Sequence, residues 1–240
     1  MTDSSGPEDP AGQEALPDLD VLIVGAGISG IGAACYLQSR SPRQRWAILE
    51  ARDALGGTWD LFRYPGVRSD SDLHTFGYEF RPWTEDRSIA TADRILAYLR
   101  DTAREHGIEQ HIRFGHRVVR VEWSSASALW TVHAEVAGTG RETVLTCRWI
   151  FCATGYYRYD AGHSPDFPGR SRFRGPVVHP QLWPADLDCS GKRVVVIGSG
   201  ATAVTLVPAL AASAAHVTMI QRTPTYIVPS PAEDAFAKLA

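Results

Sequence analysis

The chain has 240 residues, 44% of them hydrophobic, which is enough to fill one large core or two small ones. Its formal net charge of -3 leaves no basic stripe of the kind that contact with a phosphate backbone requires, so no nucleic-acid partner is expected. No run of about 18 apolar residues occurs, and the N-terminus lacks a basic region followed by an apolar one, so neither a transmembrane segment nor an export signal is expected.

Residues 1–18 are polar, acidic and rich in Pro and Gly, with too few apolar side chains to offset the entropy of ordering, and are expected to be a disordered leader. From Asp20 the run DVLIVGAG is an apolar strand entering a Gly turn, IGAACYLQSR has helical spacing, and WAILE is a second short strand. Together they predict a βαβ unit. Thr91 or Asp93 can cap a helix whose apolar positions Ile95, Leu96, Leu99 and Ala103 recur at helical intervals until Gly107 stops it. Three alternating or β-branched stretches, near 117–123, 129–134 and 143–147, are separated by Ser/Gly turns and predict an antiparallel meander. RWIFCATG, residues 148–155, reads as a further, buried strand. Residues 156–191 carry Pro, Gly and aromatics without periodicity and read as a structured linker. At Lys192 the βαβ pattern restarts with KRVVVIGSG, the helical ATAVTLVPALAAS and the strand HVTMIQR.

The chemistry lies at the two Gly turns. Gly25, Gly27 and Gly30 form GxGxxG between strand and helix, and Glu50 ends the next strand about 20 residues on. The first glycine makes the tight turn, the second lets backbone approach a pyrophosphate, and the third lets helix meet strand; the helix N-terminus, where Ser29 sits, holds the anion. Glu50 would accept from a ribose diol and repel a 2'-phosphate, so FAD or NAD suits this unit and NADP does not. The second unit has Gly198, Ser199, Gly200, Ala201, Thr202 and Ala203 at its turn, and its second strand ends in Gln221 and Arg222 where the first has Glu50. A guanidinium there can grip a 2'-phosphate bidentately and selects NADP, with Thr223 beside it as a further hydroxyl contact. The fold class follows: α/β, with two Rossmann-like dinucleotide-binding units of the FAD/NAD(P)-binding type. The first spans 19–155 and contains the three-stranded meander; the linker spans 156–191; the second spans 192–240 and is expected to be incomplete.

Such a pair describes an enzyme that passes hydride from NADPH to a flavin. Between the units, the segment 56–72 (GGTWDLFRYPGVRSDSD) has paired glycines that permit close approach to a flavin, and Trp59 offers a flat apolar wall. The cysteines Cys35, Cys147, Cys152 and Cys189 have no CxxC spacing and no His grouping. They read as buried thiols in a reducing, cytoplasmic compartment, no metal site is expected, and a thioredoxin-reductase-like disulfide reductase is disfavoured.

In the linker, Phe173, Gly175, His179, Trp183 and Pro184 occupy every position of a pattern, FxGxxxHxxxWP, that resembles the fingerprint of Baeyer-Villiger monooxygenases. The related N- and S-hydroxylating flavin monooxygenases lack the final Trp-Pro. GGTWDLFRYPGVRSDSDLHTFGYEFRPW, HPQLWPADLD and IGSGATAVTLVPALA are further similar to the ethionamide-activating monooxygenases of mycobacteria, and the resemblance runs from about Asp20 to the end of the chain. It implies an FAD-dependent monooxygenase that uses NADPH and O2 to convert ketones into esters or lactones, and that also oxygenates sulfides or thioamides. It implies FAD contacts at Ser29, Glu50, Gly57, Thr58, Trp59, Asp60, Leu61, Asp70 and the backbone of Val118. NADP contacts are implied at Arg68, Ser69, Asp70, the 198–203 turn, Gln221 and Arg222. Arg68 and Asp70 would be catalytic, Asp70 by orienting an arginine that steadies negative charge on the oxygenated flavin. His179 would hydrogen-bond within the linker and relay cofactor binding to domain motion. Members of the family are longer, and a C-terminal part completes their FAD domain and substrate pocket and carries that arginine. The chain is therefore expected to be an N-terminal fragment; the other readings are an N- or S-hydroxylating flavin monooxygenase and a dinucleotide-binding remnant without turnover.

Overall fold

The structure, a computed structural model, describes residues 16–229 together with Pro231 and Glu233; residues 1–15 of the expected leader lie outside the described residues. Its last residues are held in place. Pro17 is fully buried, and the Asp18 carboxylate accepts from the Thr146 amide at 2.7 Å and from the Thr146 hydroxyl at 2.8 Å.

In the first unit β1 (Leu19–Val24), α1 (Ile28–Arg40) and β2 (Trp46–Leu49) form the expected βαβ. Two single-turn helices, α2 (Thr58–Leu61) and α3 (Leu73–Phe76), lie in the segment that follows, before α4 (Ala92–Glu105). β3 (Ile112–Arg113), β4 (His116–Ser124), β5 (Leu129–Val136) and β6 (Arg141–Cys152) complete a six-stranded sheet in the order β3-β2-β1-β6-β5-β4. Pairing is parallel from β3 to β6 and antiparallel from β6 to β4, so the meander extends one edge of a Rossmann-like sheet.

α4 buries Ile95, Leu96, Leu99 and Ala103, the positions its spacing marks, and Gly107 follows it with φ +65°. With α1 it covers one face of the sheet through Ile23, Ile31, Ile48, Ile95, Leu99 and Ile108; Leu22, Leu49, Val132, Ala134 and Cys147 fill the opposite face. Each fully buried side chain of this kind contributes roughly 1.5–3 kcal/mol, so the first unit has a substantial core on both faces.

β6 departs from the sequence reading. The third meander strand and the strand expected at 148–155 are one continuous element, because no Gly or Pro interrupts LTCRWIFC. Its first half pairs with β5 and its second with β1. That second half is not buried: Trp149 is 71% exposed and Phe151 46%. They stand opposite Val21 and Ile23, which lie beneath the helices, but are themselves left exposed, while Cys147 and Ile150 of the same strand pack on the other face. An apolar run cannot by itself distinguish a covered strand from an open one. The expectation of four buried thiols is corrected likewise: Cys35 and Cys147 are buried, Cys152 is exposed and Cys189 is half-buried.

The second unit is a parallel pair, β7 (Arg193–Ile197) and β8 (His216–Ile220), with α5 (Ala201–Ala211) between them in sequence. Leu206 and Leu210 of α5 pack on Phe62 and Tyr64 of the first unit, with Val67, Trp183 and Val194 around them. Gly66 makes this contact close. Its φ is +79°, and a Cβ there would meet the Thr205 carbonyl oxygen at 2.6 Å and the Ala209 methyl at 2.8 Å. The Thr205 hydroxyl also bonds to the Tyr64 hydroxyl at 3.3 Å. The segment after α2 therefore joins the two units.

Candidate functional site

The first Gly turn is built for close packing on two sides. Gly25 has φ +106°, and a Cβ there would lie 2.5 Å from the Ala153 carbonyl at the end of β6; a Cβ on Gly30 would run into the Gly25 carbonyl. Only glycine gives strand and helix this approach. The α1 N-terminus has no side-chain cap and no acidic residue in its first turn, so its free N–H groups and the positive end of its dipole remain available to an anion. Ser29 is exposed in that turn.

Glu50 is 7% exposed, and the structure gives it a task the sequence did not suggest. Its Oε2 accepts from the Ala26 amide at 2.7 Å and its Oε1 from the Arg52 amide at 2.9 Å. The carboxylate thus ties the Gly turn to the end of β2, and each oxygen keeps a lone pair for a ribose hydroxyl. Gly57 (φ +55°) faces Gly27, with 3.1 Å from its Cβ position to the Gly27 Cα, and the Gly56 amide donates to the Ala26 carbonyl at 2.9 Å. Two backbones thereby pack on each other beside the helix N-terminus, a contact that side chains at these positions would block.

Among the other expected contacts, Thr58 begins α2 next to this pair, and Trp59 packs on the core with its ring edge-on to Phe76. Asp60 is buried and fully engaged by arginines: Arg52 Nη2 at 2.6 Å, Arg63 Nη2 at 2.8 Å and Arg100 Nη2 at 3.4 Å. Leu61 points to the contact with the second unit. Val118 lies on β4 beside an irregularity in its pairing with β5, two residues beyond His116, whose amide donates to the Glu50 carbonyl at 2.8 Å. Arg68, Ser69 and Asp70 run along residues 88–92, where Arg68 bridges Thr91 and the Ser69 amide donates to the Ala90 carbonyl at 2.9 Å. Ser69 is buried, and Arg68 and Asp70 are exposed. Asp70 is near Tyr157, whose phenol is pushed up to about 12 chiefly by burial, with the Asp70 charge a lesser cause. Tyr157 in turn packs edge-on to Phe62 at 5.1 Å, at the junction of the units.

In the second unit Gly198 has φ +129°, and neither Gly198 nor Gly200 has anything within 4 Å of its Cβ position, so the turn is open to a ligand. The α5 N-terminus also lacks a side-chain cap and acidic residues in its first turn. The Ser199 hydroxyl donates to the Thr223 carbonyl at 3.0 Å and accepts from the Thr225 hydroxyl at 2.9 Å. These bonds hold the segment after β8, with Gln221, Arg222 and Thr223, beside the turn formed by Gly198, Ser199, Gly200, Ala201, Thr202 and Ala203.

In the fingerprint, His179 Nδ1 accepts from the Gln181 amide at 3.2 Å, and Trp183 joins the contact between the units; Phe173 is 62% exposed, with Gly175 against its ring, and Pro184 is exposed. Among the described residues no group of His, Cys, Asp and Glu could hold a metal ion, and no helix is long and apolar enough to cross a membrane.

A family model described as flavin-binding monooxygenase-like matches residues 19–237. The chain belongs to the flavin-binding monooxygenase-like family. Among curated members of this family it is 58% identical to the FAD-containing monooxygenase EthA of Mycobacterium tuberculosis, over 92% of this chain and 45% of that protein. It is 49% identical to the probable FAD-binding monooxygenase AlmA of Acinetobacter baylyi, over 90% of this chain and 43% of that one. The chain thus spans less than half the length of these relatives. Among solved structures it is similar to an oxidized steroid monooxygenase bound to NADP (33% identity, TM-score 0.77, 92% of this chain and 42% of that one). It is also similar to OTEMO in complex with FAD and NADP (32% identity, TM-score 0.75, 89% and 41%). The resemblance read from about Asp20 to the end of the chain holds, with the family model matching residues 19–237, and so does the α/β, two-unit fold.

Sequence reasoning passed over Arg52, Tyr159 and Gln181. Arg52 follows the strand-end Glu50 by two positions, outside any motif; Tyr159 and Gln181 lie in a linker without periodicity, where position carries no signal.

Proposed function

We propose that this chain forms the cofactor-binding portion of a monooxygenase that takes FAD at the Gly25–Glu50 unit and NADPH at the Gly198–Arg222 unit, and acts on a ketone, sulfide or thioamide in the cytoplasm. The observation that carries the reading is the pair of Gly turns with uncapped helix N-termini, one backed by the buried acid Glu50 and the other by the exposed Arg222, joined through Phe62, Tyr64 and α5. Bound FAD, reduced by NADPH, supplies the O2 chemistry: one oxygen atom enters the substrate, giving an ester or lactone from a ketone, and the other leaves as water. The protein's residues position the groups. The α1 N-terminus, with the Gly27 and Gly57 backbones packed beside it, receives the flavin pyrophosphate, and Glu50 holds the ribose diol. Gly200 and the α5 N-terminus receive the second pyrophosphate, and Arg222 grips the 2'-phosphate. Asp70, at the junction of the units beside Tyr157, holds negative charge where a cation must be oriented. The buried contact between the units keeps water from one side of the space between the cofactors.

The test is NADPH oxidation with a simple ketone and with a thioether, FAD being supplied, on this chain and on this chain joined to the remaining half of a relative. Ester or sulfoxide from the joined protein supports the proposal. No FAD or NADPH dependence in either would refute it.

A further inference from the structure

Residues 158–162 lead from β6 into the fingerprint, which holds them at two points. Gln181, 4% exposed, donates from Nε2 to the Arg158 carbonyl at 2.6 Å. Gly162 lies so close to the His179 imidazole that a Cβ there would run into the ring. Between these two holds stands Tyr159. Its hydroxyl shares a hydrogen bond with the Thr58 side chain and lies 3.3 Å from the Cβ position of Gly57, the glycine that faces Gly27. Burial foremost raises the phenol's pKa; the Glu50 charge raises it further, and the Thr58 bond and Arg52 act the other way. Everything around this hydroxyl therefore belongs to the first dinucleotide site, although Tyr159 comes from the linker.

We propose that Tyr159 is a ligand contact of the first site, its hydroxyl donating to a phosphate oxygen of the dinucleotide, and that Gln181 is the positioning residue that holds it there. The inference rests on the proposed FAD assignment. Pyrophosphate oxygens only accept hydrogen bonds, and a phenol that stays neutral has one to give. The α1 N-terminus meets the anion on one side, beside the packed backbones of Gly27 and Gly57, and Tyr159 closes the cradle from the linker. Arg52, the cation closest in sequence, is already paired with Asp60. The fingerprint thus reaches the flavin site through one side chain, so that occupancy of the first site is felt by the linker.

The test measures FAD binding to the full 240-residue chain by quenching of flavin fluorescence, for the parent, Tyr159→Phe, Gln181→Met and the double variant, with melting without FAD as the control for folding. Tyr159→Phe is expected to melt like the parent and to bind FAD about tenfold more weakly, the size of one lost hydrogen bond. Gln181→Met is expected to weaken FAD in the same sense, and the double variant to be no weaker than Tyr159→Phe alone, since both changes remove the same contact. FAD affinity unchanged or tighter in Tyr159→Phe overturns the proposal, the ring then only filling space the ligand must enter. Losses that multiply in the double variant overturn the positioning role of Gln181. Absence of FAD binding by the parent sinks the proposed function and this inference together, whereas parent binding with an unaffected Tyr159→Phe sinks this inference alone.

Discussion

Glu50→Gln separates a residue that only binds ligand from one that also holds the fold. The carboxylate accepts two backbone amides, Ala26 at 2.7 Å and Arg52 at 2.9 Å, at a site 7% exposed to solvent. A carboxamide of the same shape has one acceptor oxygen, so one of those amides must face an NH2 group. A hydrogen bond to a charged group contributes about 1.5–3 kcal/mol net, and a buried donor left unmatched costs about 1–3 kcal/mol. These overlap, and about 2–3 kcal/mol is the expected loss. For a chain of this size each kcal/mol moves the midpoint by about 2–4 °C, so the variant should melt about 4–12 °C below the parent with no cofactor present. Thermal unfolding followed by circular dichroism without FAD measures this, and FAD titration of the same samples measures the ligand role. If Glu50→Gln melts with the parent and loses only FAD affinity, the bond between the Gly turn and β2 carries no stability and the reasoning fails.

Arg222→Ala should raise the Michaelis constant for NADPH far more than for NADH, by about 1–3 kcal/mol of lost charge-assisted bonding, in the protein extended to its relatives' length; equal effects on both would remove the 2'-phosphate assignment. Gly66→Ala places a Cβ against the Thr205 carbonyl and strains a φ of +79°, so α5 should lift from Phe62 and Tyr64, seen as faster proteolysis between the units. Hydrogen bonds from Thr146 hold the Asp18 carboxyl below the usual carboxylate range. The stability this contributes is complete above the unfolded pKa and is lost as pH falls through the lower folded one, so Asp18→Asn should be less stable at neutral pH and should converge with the parent in acid-unfolding curves. Burial pushes Cys35 and Cys147 up to about 11, and Cys152 is exposed, so a thiol reagent at neutral pH should label Cys152 first and reach the other two only on unfolding; early labelling of Cys35 would contradict its burial.

Local pattern carried much of this protein. The two Gly turns, the helix 92–105 with its apolar positions, the meander and the opposite signs of Glu50 and Arg222 all appear in the sequence, because each depends on residues within one turn or one strand of each other. The linker fingerprint was equally plain, and the family match extends across it. What could not be read was whatever depends on a neighbour distant in the chain. The exposure of Trp149 and Phe151 along β6 depends on which elements cover that face of the sheet. The arginines around Asp60 were likewise illegible: its two oxygens are divided among Arg52, Arg63 and Arg100, the last of them 40 residues away.

The sequence by itself determined the two nucleotide-type units, their order and the opposite charges of Glu50 and Arg222 after their second strands, since a βα turn folds on local geometry. Only the tertiary structure decided that Glu50 ties the Gly turn to the end of β2, that Gly66 sets the contact with α5, that Gln181 bonds to the Arg158 carbonyl and that the Tyr159 hydroxyl lies beside Gly57. Those facts come from chain segments brought within hydrogen-bond reach by packing, at sequence separations over which composition and periodicity carry no information.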